Sequence, residues 1–67
     1  MFYLIDLERS IGSGRTTYWK AHKRGYTTVL EEAGKYSDIM AAEIVESDFD
    51  KRTVMVPESV VEKILRN

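Results

Sequence analysis

The stretch that decides the fold runs from Tyr18 to Asp38: Tyr18-Trp19-Lys20-Ala21-His22-Lys23-Arg24-Gly25-Tyr26-Thr27-Thr28-Val29-Leu30-Glu31-Glu32-Ala33-Gly34-Lys35-Tyr36-Ser37-Asp38. It holds the one Trp and the one His of the chain, three of its four Tyr and two of its four Gly. Thr16 to Lys20, at its head, is rich in β-branched and aromatic residues and reads as a strand. Period two puts Thr17 and Trp19 on one face of that strand and Tyr18 and Lys20 on the other. Ala21 to Arg24 is a polar connection closed by Gly25, and Tyr26 to Leu30 reads as a third, short strand. Glu31-Glu32-Ala33-Gly34 reads as one helical turn stopped by glycine, the usual residue at a left-handed C-terminal position. Ser37 or Asp38 then caps a helix. Met40, Ala41, Ile44 and Val45 form its apolar face, while Glu43 and Glu46 point away.

On the N-terminal side, Phe2 to Leu7 is nearly continuous in apolar residues and too short for a lone helix. It reads as a strand that is central or covered on both faces. Ser10-Ile11-Gly12-Ser13-Gly14 reads as a turn, which makes the first two strands a hairpin. On the C-terminal side, Ser47 to Lys51 is a polar link and Thr53 to Val56 a clear strand. Pro57 suits the first position of a last helix, with Val60, Val61, Ile64 and Leu65 as its stripe and Glu62 and Arg66 as an i, i+4 pair. The order β-β-(β)-α-β-α predicts a single compact α+β domain over residues 1–67. Its sheet is small and mostly antiparallel, of three to four strands, with two short helices packed on one face. Thr53 to Val56 and Tyr26 to Leu30 are the two candidates for an exposed sheet edge.

Composition narrows the function classes. A chain of 67 residues sits near the lower limit for independent folding. It has no Cys, so neither a disulfide framework nor a thiolate zinc site supports the core, and one His makes a histidine-based metal site unexpected. No cofactor is expected. No basic n-region followed by an apolar stretch and no apolar run of membrane-spanning length occurs, so the expected compartment is the cytoplasm. The net charge of −1 hides a segregation. Arg9, Arg15, Lys20, Lys23 and Arg24 against Asp6 and Glu8 give +3 over residues 1–29. Lys35 against Glu31, Glu32, Asp38, Glu43, Glu46, Asp48 and Asp50 gives −6 over residues 30–50. Two solvated faces of an ordinary domain account for such a distribution; the sharper reading is that it steers a charged partner or favours antiparallel self-association.

Few residues offer chemistry. Gly12-Ser13-Gly14-Arg15-Thr16-Thr17 has the residue types of a phosphate-cradling loop. The pattern needs a correctly placed first glycine, a lysine where Arg15 stands, and a following helix, so a turn is the better reading. His22 has the acid–base range of a general base, with Glu31 or Glu32 as orienting partner, but nothing in the sequence brings them together. A chain this small also offers little scaffold for a water-excluding pocket. An enzyme is not expected. The most suggestive surface is the aromatic-basic stretch, with Tyr18, Lys20, His22, Lys23, Arg24 and Tyr26 as candidate residues for a protein partner or for nucleic acid. Interleaved rings and cations stack bases and neutralise phosphates, although a pI near 5.7 lacks the basic footprint of typical nucleic-acid binders. Glu43, Glu46, Asp48 and Asp50 form an acidic run that solvated helix charge explains, with nucleic-acid mimicry as the sharper reading.

Tyr18-Trp19, Gly25-Tyr26-Thr27, Ala33-Gly34 and Tyr36-Ser37 before an Ala-containing helix together resemble a group of small uncharacterised phage and prophage proteins. Their pattern is an aromatic pair, G-Y-T and A-G-x-Y-[ST]. The resemblance spans the central part of the chain and departs at Met40, where a glutamate would complete a capping box. It implies a phage or prophage origin, hence the host cytoplasm, and a compact fold, but no activity. The expected function is a small non-enzymatic interaction protein that docks on a protein partner or on a second copy of itself, a homodimer included. A nucleic-acid-binding module built on Tyr18 to Tyr26 is the alternative. No membrane association is expected.

Overall fold

The computed structural model describes residues 1–64. Strands β1 (Phe2–Asp6), β2 (Tyr18–Trp19), β3 (Tyr26–Thr27) and β4 (Thr53–Pro57) form one antiparallel sheet in the order β3-β2-β1-β4. Helices α1 (Leu7–Ser13), α2 (Asp38–Ser47) and α3 (Glu58–Ile64) and two short 3₁₀ turns, Ala21–Lys23 and Leu30–Glu32, complete the described chain. The α+β class and the small antiparallel sheet are those expected. No helix among the described residues is long and apolar enough to cross a membrane.

The sheet is organised by β1, in which Tyr3, Leu4, Ile5 and Asp6 are all buried. Successive strand residues point to opposite faces, so β1 feeds two cores. Tyr3 and Ile5 pack with Tyr18 and with Val61 of α3, joined by Leu30, Ala33, Val54 and Val56. Leu4 packs with Tyr36 and with Ala41 and Ile44 of α2, joined by Phe2, Trp19, Val45 and Met55. The two helices therefore lie on opposite faces of the sheet, which corrects the expectation that both pack on one face. The physical reason lies in β1 itself. A strand that is apolar at consecutive positions leaves unburied surface unless both sides are covered.

A second correction concerns the expected turn over Ser10 to Gly14: Ser10 to Ser13 is the end of helix α1 and Gly14 its cap. Asp6 ends β1 and caps α1: its carboxylate accepts the Arg9 N–H (2.8 Å), and the Ser10 hydroxyl donates to the Asp6 carbonyl (2.7 Å). Gly14 stops the helix at φ 73°, with its N–H bonded to the Ser10 carbonyl (3.0 Å). β1 and β2 do pair antiparallel, with Ile5 opposite Tyr18, but across this short helix. Three positions of the expected stripes are also exposed. Met40 lies on the open side of α2, and Val60 and Ile64 face outward while Val61 alone of α3 is buried. Leu65 and Arg66 lie outside the described residues. Glu62 instead accepts the Tyr3 hydroxyl (2.9 Å) and pairs with Lys35 (3.5 Å).

Sheet order puts both edge candidates, β3 and β4, at the edges. The longer edge is blunted. Glu58 N–H donates to the Met1 carbonyl and Leu7 N–H to the Arg52 carbonyl. By the antiparallel alternation Val54 and Val56 bond β1, while Thr53, Met55 and Pro57 turn their backbone groups outward. Thr53 N–H is taken by the Asp48 carboxylate (2.8 Å), and Pro57 has no N–H. Met55 thus carries the one outward donor of β4 left for another strand, a device that suppresses edge-to-edge pairing.

Two outcomes follow from this packing. Leu4 is fully buried, and Leu4→Ala is expected to cost about 2–5 kcal/mol, measured by urea unfolding, which is most of what a domain of this size has. Asp48 is held below the usual carboxylate value by hydrogen bonds from the Thr53 side chain and from the backbone of Thr53, Arg52 and Asp50. Its folded pKa is depressed, so its contribution is present above the unfolded value of 3.8 and is lost as pH falls through the folded one. The urea midpoint should therefore drop with acidification. Asp48→Asn should flatten that limb, leaving the part due to Glu58, whose pKa the Lys35 ammonium also lowers.

Candidate functional site: a basic cleft at the head of α2

The loop between β2 and β3 and the start of α2 enclose an open cleft of about 540 Å³, within the size range of ligand sites. Ala21, His22 and Lys23 form one wall, Lys35, Tyr36 and Ser37 the other, and Met40 contributes an apolar surface from α2. Sequence reasoning found the first wall through its cations. It missed the second because Ser37 reads as a helix cap and Met40 as core.

The loop wall is held in an unusual shape. His22 and Lys23 both have φ 57°, in the left-handed region that costs non-glycine residues roughly 1–3 kcal/mol each. Gly25, at φ 113°, takes a conformation other residues rarely adopt, and its carbonyl accepts the Lys20 N–H (2.8 Å). The Tyr36 hydroxyl ties the loop from inside: it donates to the Lys20 carbonyl and accepts the Lys23 N–H (3.1 Å). The Tyr36 backbone exchanges two hydrogen bonds with Phe2 (2.7 and 2.8 Å), continuing the sheet where β2 turns away from β1. Gly34 passes so close to the loop that a Cβ there would lie 2.8 Å from the Lys20 carbonyl carbon and nearer still to the Ala21 backbone. Ser37 caps α2 by accepting the Met40 N–H (3.2 Å), with no reciprocal glutamate.

The six candidates fall into separate environments. His22 and Lys23 line the cleft, exposed and outside any ion pair among the described residues. Lys20 is half-buried and serves the loop through its backbone, while Arg24 is exposed beside the cleft. Tyr18 is 4% exposed in the core on the other face, and burial raises its pKa. Tyr26 meets Trp19 edge-on (5.6 Å), and the Arg9 guanidinium covers its ring at 3.9 Å. Lys35 pairs with Glu58 (3.0 Å) and Glu62, and the Glu58 hydrogen bond raises its pKa. Glu32 accepts the Thr27 hydroxyl (3.1 Å). Among the described residues no group of His, Asp and Glu could hold a metal ion.

A second, smaller cleft of about 220 Å³ opens at the other end of α2, among Asp6, Trp19, Tyr26, Asp48 and Arg52. Its two carboxylates are already engaged, Asp6 by Arg9 and Asp48 by the Arg52 and Thr53 N–H groups. No family model, curated protein or solved structure matches the chain.

The loop is expected to depend on its two internal ties. Tyr36→Phe should cost about 1–3 kcal/mol by leaving the Lys20 carbonyl and Lys23 N–H unpaired, and Lys23 amide exchange should accelerate. Gly34→Ala should cost a similar amount through overpacking alone, about 1–3 kcal/mol. Thermal melts of the two variants measure both.

Proposed function

We propose that this chain is a non-enzymatic interaction domain that docks a segment of a protein partner in the cleft at the head of α2. Its phage-type pattern makes a phage or prophage origin, and action in the host cytoplasm, part of the same reading. The observation that carries it is the cleft's composition: the unpaired Lys23 ammonium and the exposed His22 imidazole beside an exposed Met40. A surface of that kind suits an acidic segment that carries an apolar or aromatic anchor. The strained loop is consistent with a binding role, since such conformations persist only where the surroundings hold them. Of the residues that carried the resemblance, Tyr36 and Ser37 line the cleft, while Gly25 and Gly34 lie in the segments packed behind it. Docking at the β4 edge is the weaker reading, because Asp48 and Pro57 leave one outward donor there.

Nucleic-acid binding is favoured by Lys20, Lys23 and Arg24, which make no ion pairs among the described residues. It is disfavoured by the loss of the stacking platform: Tyr18 is core and the Tyr26 face is occupied by Arg9. Amide NMR separates the two. Titration with a synthetic peptide of alternating aspartate and phenylalanine should shift Ala21, Lys23, Ser37 and Met40, with an effect that fades as salt rises. Lys23→Glu should abolish the shifts. If the peptide leaves these amides unmoved while a mixed-sequence oligonucleotide shifts the loop, the nucleic-acid reading replaces this one.

A further inference from the structure

Among the described residues the most exposed large apolar side chain is Phe49, at 97%. It stands on the turn that joins α2 to β4, flanked by Asp48 and by Asp50, whose side chain is three-quarters exposed. That turn is firmly built. Lys51 N–H closes it on the Asp48 carbonyl (3.0 Å), and the Asp48 carboxylate accepts the Arg52 (2.9 Å) and Thr53 (2.8 Å) N–H groups. Lys51 takes a left-handed conformation, at φ 54°. A ring presented on so constrained a turn loses little freedom on docking. With the Asp48 carboxylate turned inward, the turn presents Phe49 beside the exposed Asp50, an aromatic anchor with an adjacent carboxylate of the kind the cleft suits.

We infer that the partner of the cleft is a second copy of this chain, whose Phe49 turn inserts between the Ala21–Lys23 loop and Met40. This rests on the cleft reading above and names its occupant. Charge complementarity carries it: Lys23, outside any ion pair among the described residues, meets Asp50, which is three-quarters exposed and held only by a 3.8 Å pair with Arg52, while Phe49 meets Met40 and Ala21. A chain cannot fill its own cleft in this way. The cleft lies at the head of α2 and Phe49 follows its tail, separated by ten helical residues or roughly 15 Å. Glu43 and Glu46, exposed between the two ends, oppose flush packing of one α2 on another, so the knob and the cleft carry the contact. Reciprocal insertion closes a two-fold dimer, and one-way insertion gives an open chain of copies.

Sedimentation equilibrium of the whole chain, from low micromolar to millimolar, tests this. The wild-type mass should rise from 7.7 kDa with concentration. Phe49→Ser, at a position with no core contact to lose, should remain monomeric and keep the wild-type melting curve. Lys23→Glu and Asp50→Lys should each weaken association by about tenfold or more, and the double variant should restore it. A wild-type chain that stays monomeric at millimolar concentration, or a Phe49→Ser chain that associates equally well, overturns the inference. The Ser47–Arg52 peptide, titrated against Phe49→Ser protein, separates the two failures. A monomeric wild type whose cleft amides still respond to the aspartate-phenylalanine peptide loses the second-copy inference alone. A cleft that responds to neither peptide loses both readings.

Discussion

The rest of the fold depends on burying both faces of β1. Tyr3 and Ile5 need one cover and Leu4 another, and a chain of 67 residues without cysteine has little material for either. α3 supplies one buried residue, Val61, to the first face, and α2 supplies Ala41 and Ile44 to the second. Loop residues complete both cores: Leu30 and Ala33 on one side, Tyr36 on the other. Connections that a larger domain would leave on the surface are therefore part of the packing here, because small domains bury a smaller share of their surface.

Tyr36 shows how this packing prepares the cleft. Its ring is in the α2-side core, its backbone bonds Phe2, and its hydroxyl holds the Lys20–Lys23 backbone. The left-handed His22 and Lys23 are thus tied to the core through a single side chain. Gly34 allows the approach, since any side chain there would strike Ala21. Lys35, between them, is drawn towards α3 by Glu58 and Glu62, which leaves Lys23 as the lining ammonium not committed elsewhere among the described residues.

At the opposite end of α2, Asp48 links three features through its backbone carbonyl and its carboxylate. It closes the turn that exposes Phe49, removes the Thr53 donor from the β4 edge, and ties the turn to the strand that leaves it. The same bonds that lower its pKa therefore hold the shape of the knob and the silence of the edge. α2 is in this sense a spacer with a recognition element at each end, a basic hollow at its head and an acidic aromatic turn at its tail.

Much of the architecture was legible in the residues: β1 as a two-faced strand, the antiparallel pairing of β1 with β2, the Ser37-capped helix, the strand before Pro57 and the α+β class. These are set by local periodicity, propensity and capping, which neighbours in the chain decide among themselves. The structure alone decided the rest. Asp6 could be recognised as a cap only once β1 ended there. Met40 continues the apolar stripe, yet it faces a cleft because the β2–β3 loop stands off from the head of α2. Tyr18 and Tyr26 look alike on paper, but period two sends Tyr18 into the α3-side core, while sheet order leaves Tyr26 at an edge beneath Arg9. The second wall of the cleft is distant from the first in sequence and becomes its neighbour through Tyr36. Local rules assign a residue to a helix or a strand; which face it shares, and with whom, is settled only when the sheet is assembled.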